Sequence, residues 1–149
     1  MKYEVILVEI DKLRLHEYTD LENLSRLFRN IVEKGVLEHP IVADKDTNVV
    51  LDGNHRVTVL KLLGCRYVPT IFVEYKSPDI IVESWKDGRR FDKEDVIRAG
   101  LSNEKLPPKS TRHMIRVNGE YYHISHIQRR IDFPLRNLFS GEISPYLKI

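Results

Sequence analysis

Val49-Val50-Leu51-Asp52-Gly53-Asn54-His55-Arg56-Val57-Thr58-Val59-Leu60 is the stretch from which the fold can be worked out. A β-branched apolar run ends in Asp-Gly, a polar Asn-His-Arg group follows, and apolar residues then recur at Val57, Leu60 and Leu63. The run fits a strand, Asp-Gly a tight turn, and the three-residue spacing a helix. Asn54, His55 and Arg56 then fall in the first helical turn. Its N–H groups have no intrahelical partners and carry a partial positive charge, which attracts anions, phosphate above all. Arg56 adds a planar fork able to grip phosphate through two bonds. The stretch therefore predicts a phosphate-binding turn and nucleotide chemistry. By itself it fits equally a plain strand-turn-helix connection with His55 and Arg56 in solvent.

Outward from this turn, the elements alternate. Tyr3 to Ile10 reads as a first strand. Thr19 and Glu22 form a capping box for a helix over Asp20–Lys34 that Gly35 stops, with apolar Leu21, Leu24, Leu27, Phe28, Ile31 and Val32 at helical spacing. Pro40 to Ala43 is a short strand, with Val49 to Leu51 as its hairpin partner. The helix after the turn runs over Asn54–Leu63 and ends at Gly64. Tyr67 to Tyr75 is the clearest strand, with Pro69 near its start as strands permit. Ile80 to Trp85 and Tyr121 to Ile127 read as further strands. Asp92 caps a short helix through Ala99, with Gly100 after it, and Pro134 to Phe139 forms a last helical turn. The fold class is α/β (α+β), a small mixed sheet flanked by helices. Residues 1–149 are expected to form one domain, with 106–149 packing back as part of the site wall.

Composition narrows the class. A chain of 149 residues, 31% charged and 42% hydrophobic, is that of a globular protein large enough to bury a core. No apolar run approaches the roughly 20 residues that span a bilayer, and residues 1–5 enter a strand pattern with no signal-peptide core. One cysteine, Cys65, leaves no partner for an intramolecular disulfide and no Cys-cluster zinc site. These features predict a cytoplasmic protein with no membrane partner. A net charge of +2 is too mild to argue for nucleic acid. Oligomeric state has no signature in the chain.

Three polar clusters lie at element boundaries, where scaffolds display functional side chains. They are His16-Glu17, Asp52 to Arg56, and Lys109-Ser110-Thr111-Arg112-His113. Each has a plain reading: Glu17 as a solvated loop acid, Asp52 as a turn acceptor, Arg112 as the partner of a surface acid. Together they match the parts of phosphoryl transfer, namely N–H groups and an arginine for phosphate, a carboxylate for Mg²⁺ and a carboxylate base for the nucleophile. Trp85, the one tryptophan, reads as a core aromatic or as a wall of a small-substrate pocket. Cys65 reads as a small buried filler.

The Leu-Asp-Gly-Asn-His-Arg stretch at 51–56, with Glu38-His39-Pro40-Ile41-Val42 before it and Tyr-Val-Pro-Thr-Ile-Phe-Val at 67–73, resembles the ParB/sulfiredoxin-like superfamily. Glu9 to Leu13 leading to His16-Glu17, Ser84-Trp85, and Pro108-Lys109-Ser110-Thr111-Arg112-His113 narrow the resemblance to the archaeal free serine kinases. It runs from about Val8 to Phe139. The resemblance implies phosphorylation of the L-serine hydroxyl to O-phospho-L-serine in amino-acid metabolism and cysteine biosynthesis. A nucleotide is the donor and Mg²⁺ assists. Some members of the family use ATP and others ADP, and for this chain ATP is the expected donor, with ADP as the alternative. It implies Glu17 as general base and Asp52, Gly53, Asn54, His55 and Arg56 around the nucleotide phosphates, with Asp52 in a catalytic or Mg²⁺-holding role. Trp85, Lys109, Ser110, Thr111, Arg112 and His113 would surround the serine. Asn54 departs from the family, which often has a second histidine there. The stretch from Trp85 to Pro108 is shorter than in some members.

Sulfiredoxin chemistry needs a cysteine directly before His-Arg. That position is Asn54, and Cys65 lies roughly 16 Å away along the helix at about 1.5 Å per residue. The alternative to a kinase is a non-enzymatic ParB-like nucleotide-binding or nucleic-acid-associated module. Such proteins usually carry a helix-turn-helix region, and the chain after Tyr75 shows little helical pattern and no basic stripe.

Overall fold

A computed structural model describes residues 3–84 and 90–139. In chain order the elements are β1 (Ile6–Glu9), β2 (Arg14–Leu15), α1 (Leu21–Lys34), β3 (Val36–Leu37), β4 (Ile41–Asp44), β5 (Val49–Asp52), α2 (Asn54–Leu62), β6 (Tyr67–Val73), β7 (Ile80–Ser84), α3 (Lys93–Leu101), β8 (Thr111–Val117), β9 (Glu120–His123), β10 (Phe133–Pro134) and α4 (Arg136–Phe139). Turns of 3₁₀ helix lie at Ile10–Lys12 and Ile124–Ile127.

β4, β5 and β6 read as nearly continuous apolar runs because both of their faces are covered. They sit inside a five-stranded mixed sheet of order β1-β6-β4-β5-β2. β4 runs parallel to β6, with Ile41 opposite Thr70, and antiparallel to β5, with Ala43 opposite Val50. Alternate residues feed two cores. Ile41, Ala43 and Val50 pack with Ile31 of α1, Val57 and Leu60 of α2 and Leu138 of α4. Val42, Val49 and Leu51 face the other way and meet Ile80, Val96, Ile115 and Ile124. These come from α3, the 3₁₀ turn at Ile124–Ile127 and an antiparallel sheet of order β7-β8-β9.

The mixed α/β architecture expected from the sequence is the one observed. Several boundaries differ. α1 is capped by Asp20, not Thr19: the Asp20 side chain accepts the Asn23 N–H at 3.1 Å, and its own N–H donates to His55 Nε2 at 3.1 Å. Gly100 lies inside α3, not after it. A Cβ there would stand 2.6 Å from Val49 Cγ2, so the glycine lets α3 close on β5. The expected strand from Tyr121 to Ile127 stops at His123, whose side chain accepts the Ser125 N–H and opens the 3₁₀ turn. β8 is longer than the polar cluster that marked its start. His113 and Ile115 point inward and Arg116 outward, an alternation masked by its charged residues. Among the described residues no helix is long and apolar enough to cross a membrane.

Candidate functional site

β5 leads into Gly53 at φ +121°, and the Val57 N–H bonds to the Gly53 carbonyl at 2.9 Å, so α2 begins at once. A Cβ on Gly53 would lie 2.5 Å from Ile41 Cγ2. Only glycine satisfies both the backbone angle and the space. The N–H groups of Asn54, His55 and Arg56 then stand at the helix end without intrahelical partners.

Arg56 does not reach forward from this end. Its Nη1 donates to the carbonyls of His39 (3.2 Å) and Pro40 (2.8 Å), and its Nη2 to Asp52 Oδ2 (3.1 Å) and Gln128 Oε1 (3.4 Å). It ties the approach to β4, the turn and α2 together. Gln128 Nε2 also donates to Asp52 Oδ2, at 2.7 Å. Asp52 Oδ1 takes no hydrogen bond among the described residues, and Asp52 lines the cavity in front of the helix.

That cavity measures about 260 Å³. Leu51, Asp52, Gly53, Asn54 and His55 form one side, Glu17 and Asn23 a second, and Lys109, Thr111, Arg112, His113 and His123 a third. The three sequence clusters therefore meet, although 94 residues separate Glu17 from Thr111. Main-chain bonds join Leu106 to His16 and Tyr18, and place the loop 107–110 against Glu17. Lys109 closes that loop in the left-handed region, at φ +58°.

Glu17 is the most heavily bonded acid of the cavity. Oε1 accepts the Lys109 N–H at 3.0 Å, and Oε2 accepts the Thr111 N–H at 3.1 Å and the Thr111 hydroxyl. His16 Nε2 lies 3.4 Å from Oε2. Burial works to raise the Glu17 carboxyl, but the hydrogen bond and charge of His16, with the Thr111 and Lys109 donors, outweigh it. The net effect holds Glu17 below the ordinary carboxylate value. Behind it His16 is fully buried, with Nδ1 2.7 Å from the Val50 carbonyl oxygen and Nε2 2.9 Å from Thr111 Oγ1. His113 is also buried. Desolvation, helped by the His16 charge, pushes it well below the usual histidine range, and its Nε2 bonds to the Tyr75 hydroxyl at 2.8 Å. Asn54 Oδ1 accepts the His16 N–H at 3.3 Å, which gives this asparagine a neutral anchoring role.

Two expected site residues stand apart. Ser110 is buried, donating to the Pro107 carbonyl at 2.6 Å, and Arg56 faces its own scaffold. Trp85 lies outside the described residues. Cys65, at the far end of α2, is buried, and desolvation raises its thiol to about 11. Asn23, His123 and Gln128 were not singled out from the sequence. Asn23 is legible once α1 is seen to start at Asp20. The other two carry no local signal. Among the described residues no three His, Cys, Asp or Glu side chains converge as a metal cage.

No protein-family model matches the chain. An ATP-dependent L-serine kinase from Desulfurococcus mucosus is 34% identical over 89 residues, 57% of this chain and 35% of that protein. An ADP-dependent L-serine kinase from Thermococcus kodakarensis is 26% identical over 100 residues, 64% of this chain and 41% of that protein. The matched part of the chain thus spans well under half the length of these curated relatives. Among solved structures, a free serine kinase in complex with AMP superposes with a TM-score of 0.77 at 17% identity, covering 93% of this chain and 95% of that one. The fold is that of a free serine kinase. Within the free-serine-kinase fold, the cavity described above lies at the end of the helix that follows the Asp-Gly turn.

Proposed function

We propose that this protein is a free L-serine kinase, transferring a phosphoryl group from a nucleotide to the serine hydroxyl. The observation that carries the reading is the meeting, in one cavity, of a helix N-terminus at Gly53–His55, an ionised Glu17 and the cationic Lys109–Arg112 segment. Relatives named as L-serine kinases and the shared fold support it.

The helix-end N–H groups bind the donor phosphates, and positive charge from Lys109 and Arg112 offsets the charge of the transferred group. Glu17 orients the serine hydroxyl. As the serine oxygen bonds to the terminal phosphorus, the bond from phosphorus to the bridging oxygen of the nucleotide breaks, and the hydroxyl proton passes to Glu17. A lowered carboxyl is compatible with this role, because a loose phosphoryl transition state asks for positioning more than for strong basicity. Arg112 suits the serine carboxylate or the transferred phosphate as a bidentate donor, with Thr111 and His113 beside it.

Mg²⁺ usually binds through one or two carboxylates, waters and the substrate's own phosphates. The open Oδ1 of Asp52 fits that need without a protein cage. When bound, the ion would neutralise phosphate charge. ATP is the favoured donor and ADP the alternative, and the relatives include both kinds. The protein is expected to act in the cytoplasm, without nucleic acid or membrane.

Purified protein with L-serine, Mg²⁺ and either ATP or ADP tests the reading, with O-phosphoserine detected by mass spectrometry. Product with one donor establishes the kinase and its donor. Nucleotide binding without product from either donor overturns it in favour of a non-enzymatic nucleotide-binding module.

A further inference from the structure

We infer that His16 and Thr111 are positioning residues for Glu17, sharing one proton between His16 Nε2 and the Glu17 carboxyl through the Thr111 hydroxyl, with the proton resting on His16. The inference deepens the kinase reading and rests on it for its catalytic meaning.

The argument is a count of protons. His16 Nδ1 lies 2.7 Å from the Val50 carbonyl oxygen, which can only accept, so Nδ1 carries a hydrogen. Nε2 lies 2.9 Å from Thr111 Oγ1, and the same Oγ1 is hydrogen-bonded to Glu17 Oε2. The hydroxyl brings one proton to these two contacts. Filling both requires one more, and it has two possible seats. On Nε2 it makes the chain run His16 to Thr111 to Glu17. On Oε2 it makes the chain run in reverse. Both arrangements hold the same number of protons, so they are two ends of one shared proton, exchanged by a concerted shift through the hydroxyl.

The surroundings choose the end. Glu17 receives the fixed main-chain N–H groups of Lys109 and Thr111, which favour the ionised carboxylate. His16 gives its Nδ1 hydrogen to the Val50 carbonyl, which leaves Nε2 as the ring nitrogen that can seat the shared proton. The chain is buried, where hydrogen bonds strengthen one another. Other titratable groups stand around it. His113 meets the His16 ring edge-on at 5.8 Å and is kept neutral by burial. Asp52, His55, Lys109, Arg112 and His123 line the cavity that Glu17 faces. With the proton on His16, Glu17 meets the substrate hydroxyl as a carboxylate.

Thr111→Val removes the hydroxyl but keeps the branched shape and the main-chain N–H to Glu17. Thr111→Ser restores the hydroxyl. Substrate-free NMR of the Glu17 carboxyl carbon and the His16 ring nitrogens is the first readout. Both ring nitrogens are expected to be protonated while Glu17 is ionised. Thr111→Val is expected to raise the Glu17 midpoint by about one unit, and Thr111→Ser to return it. In turnover, the acid limb of kcat moves to higher pH by the same amount in Thr111→Val. An unprotonated Nε2 beside an ionised Glu17, or a Glu17 titration that Thr111→Val leaves in place, overturns the inference and leaves these residues as a loop tie. If the native protein forms no phosphoserine, the kinase reading fails, and the NMR result still decides whether the proton is shared.

Discussion

The two sides of the cavity are built in opposite ways. The Asp52–Arg56 side is one continuous segment whose shape follows from strand, glycine and helix in immediate succession. The Glu17 side is a seam between residues 94 apart, closed by hydrogen bonds from Lys109 and Thr111. The first is rigid because its own backbone leaves no other option. The second is rigid because a buried carboxylate collects donors. A change on the first side should therefore act on stability and nucleotide affinity together. A change on the second should act on turnover.

The largest expected effect tests the seam. Glu17→Gln keeps the side-chain shape and removes the base, so phosphoserine formation should fall about 10²–10⁴-fold while calorimetry finds nucleotide affinity largely retained. Near-native turnover would remove Glu17 from the chemistry. Next is Arg56→Ala, which strips donors from two carbonyls and leaves Asp52 beside a vacated partner. Urea unfolding should show a loss of about 3 kcal/mol, and Arg56→Lys should recover little of it, since one ammonium does not reproduce the fork. A fall in nucleotide affinity without loss of stability would instead turn Arg56 toward the phosphates. Gly53→Ala should cost about 2 kcal/mol in the same assay, from the clash with Ile41 and the left-handed backbone together. A neutral result would mean that the turn gives way, and that this side is less rigid than its geometry implies.

The same contrast governs what could be read in advance. The strand-turn-helix was legible because its causes are local: β-branched residues, one glycine, apolar spacing. The orientation of Arg56 was not, because the acceptors that hold it, the carbonyls of His39 and Pro40, come from a chain segment 16 and 17 residues away. Glu17 and Thr111 were each picked out as polar residues at boundaries, yet nothing in either neighbourhood says that they touch. β8 was hidden because two arginines, at 112 and 116, and a histidine at 113 interrupt its apolar alternation. His113 is the instructive one. It looks polar in the sequence, but it occupies an inward position of the strand and is buried as a neutral ring.

That buried ring gives the smallest effect and the last test. Desolvation, reinforced by the His16 charge, holds His113 well below its ordinary value of 6.5 in the folded protein. In the unfolded chain it takes up a proton near that value. As pH falls through 6.5, the unfolded state therefore binds the extra proton first, and stability falls with it. Glu17, lowered from 4.5, acts with the same sign but begins only below that pH. Acid unfolding should thus begin in two stages, with a slope of at most about 1.4 kcal/mol per pH unit from the first group. His113→Gln cannot ionise and should flatten the upper stage while sparing the lower. Stability measured by urea titration at a series of pH values checks it. A slope above pH 5 that survives the substitution would assign the upper stage to another group and leave the seam, through Glu17, as the main acid-sensitive tie of the cavity.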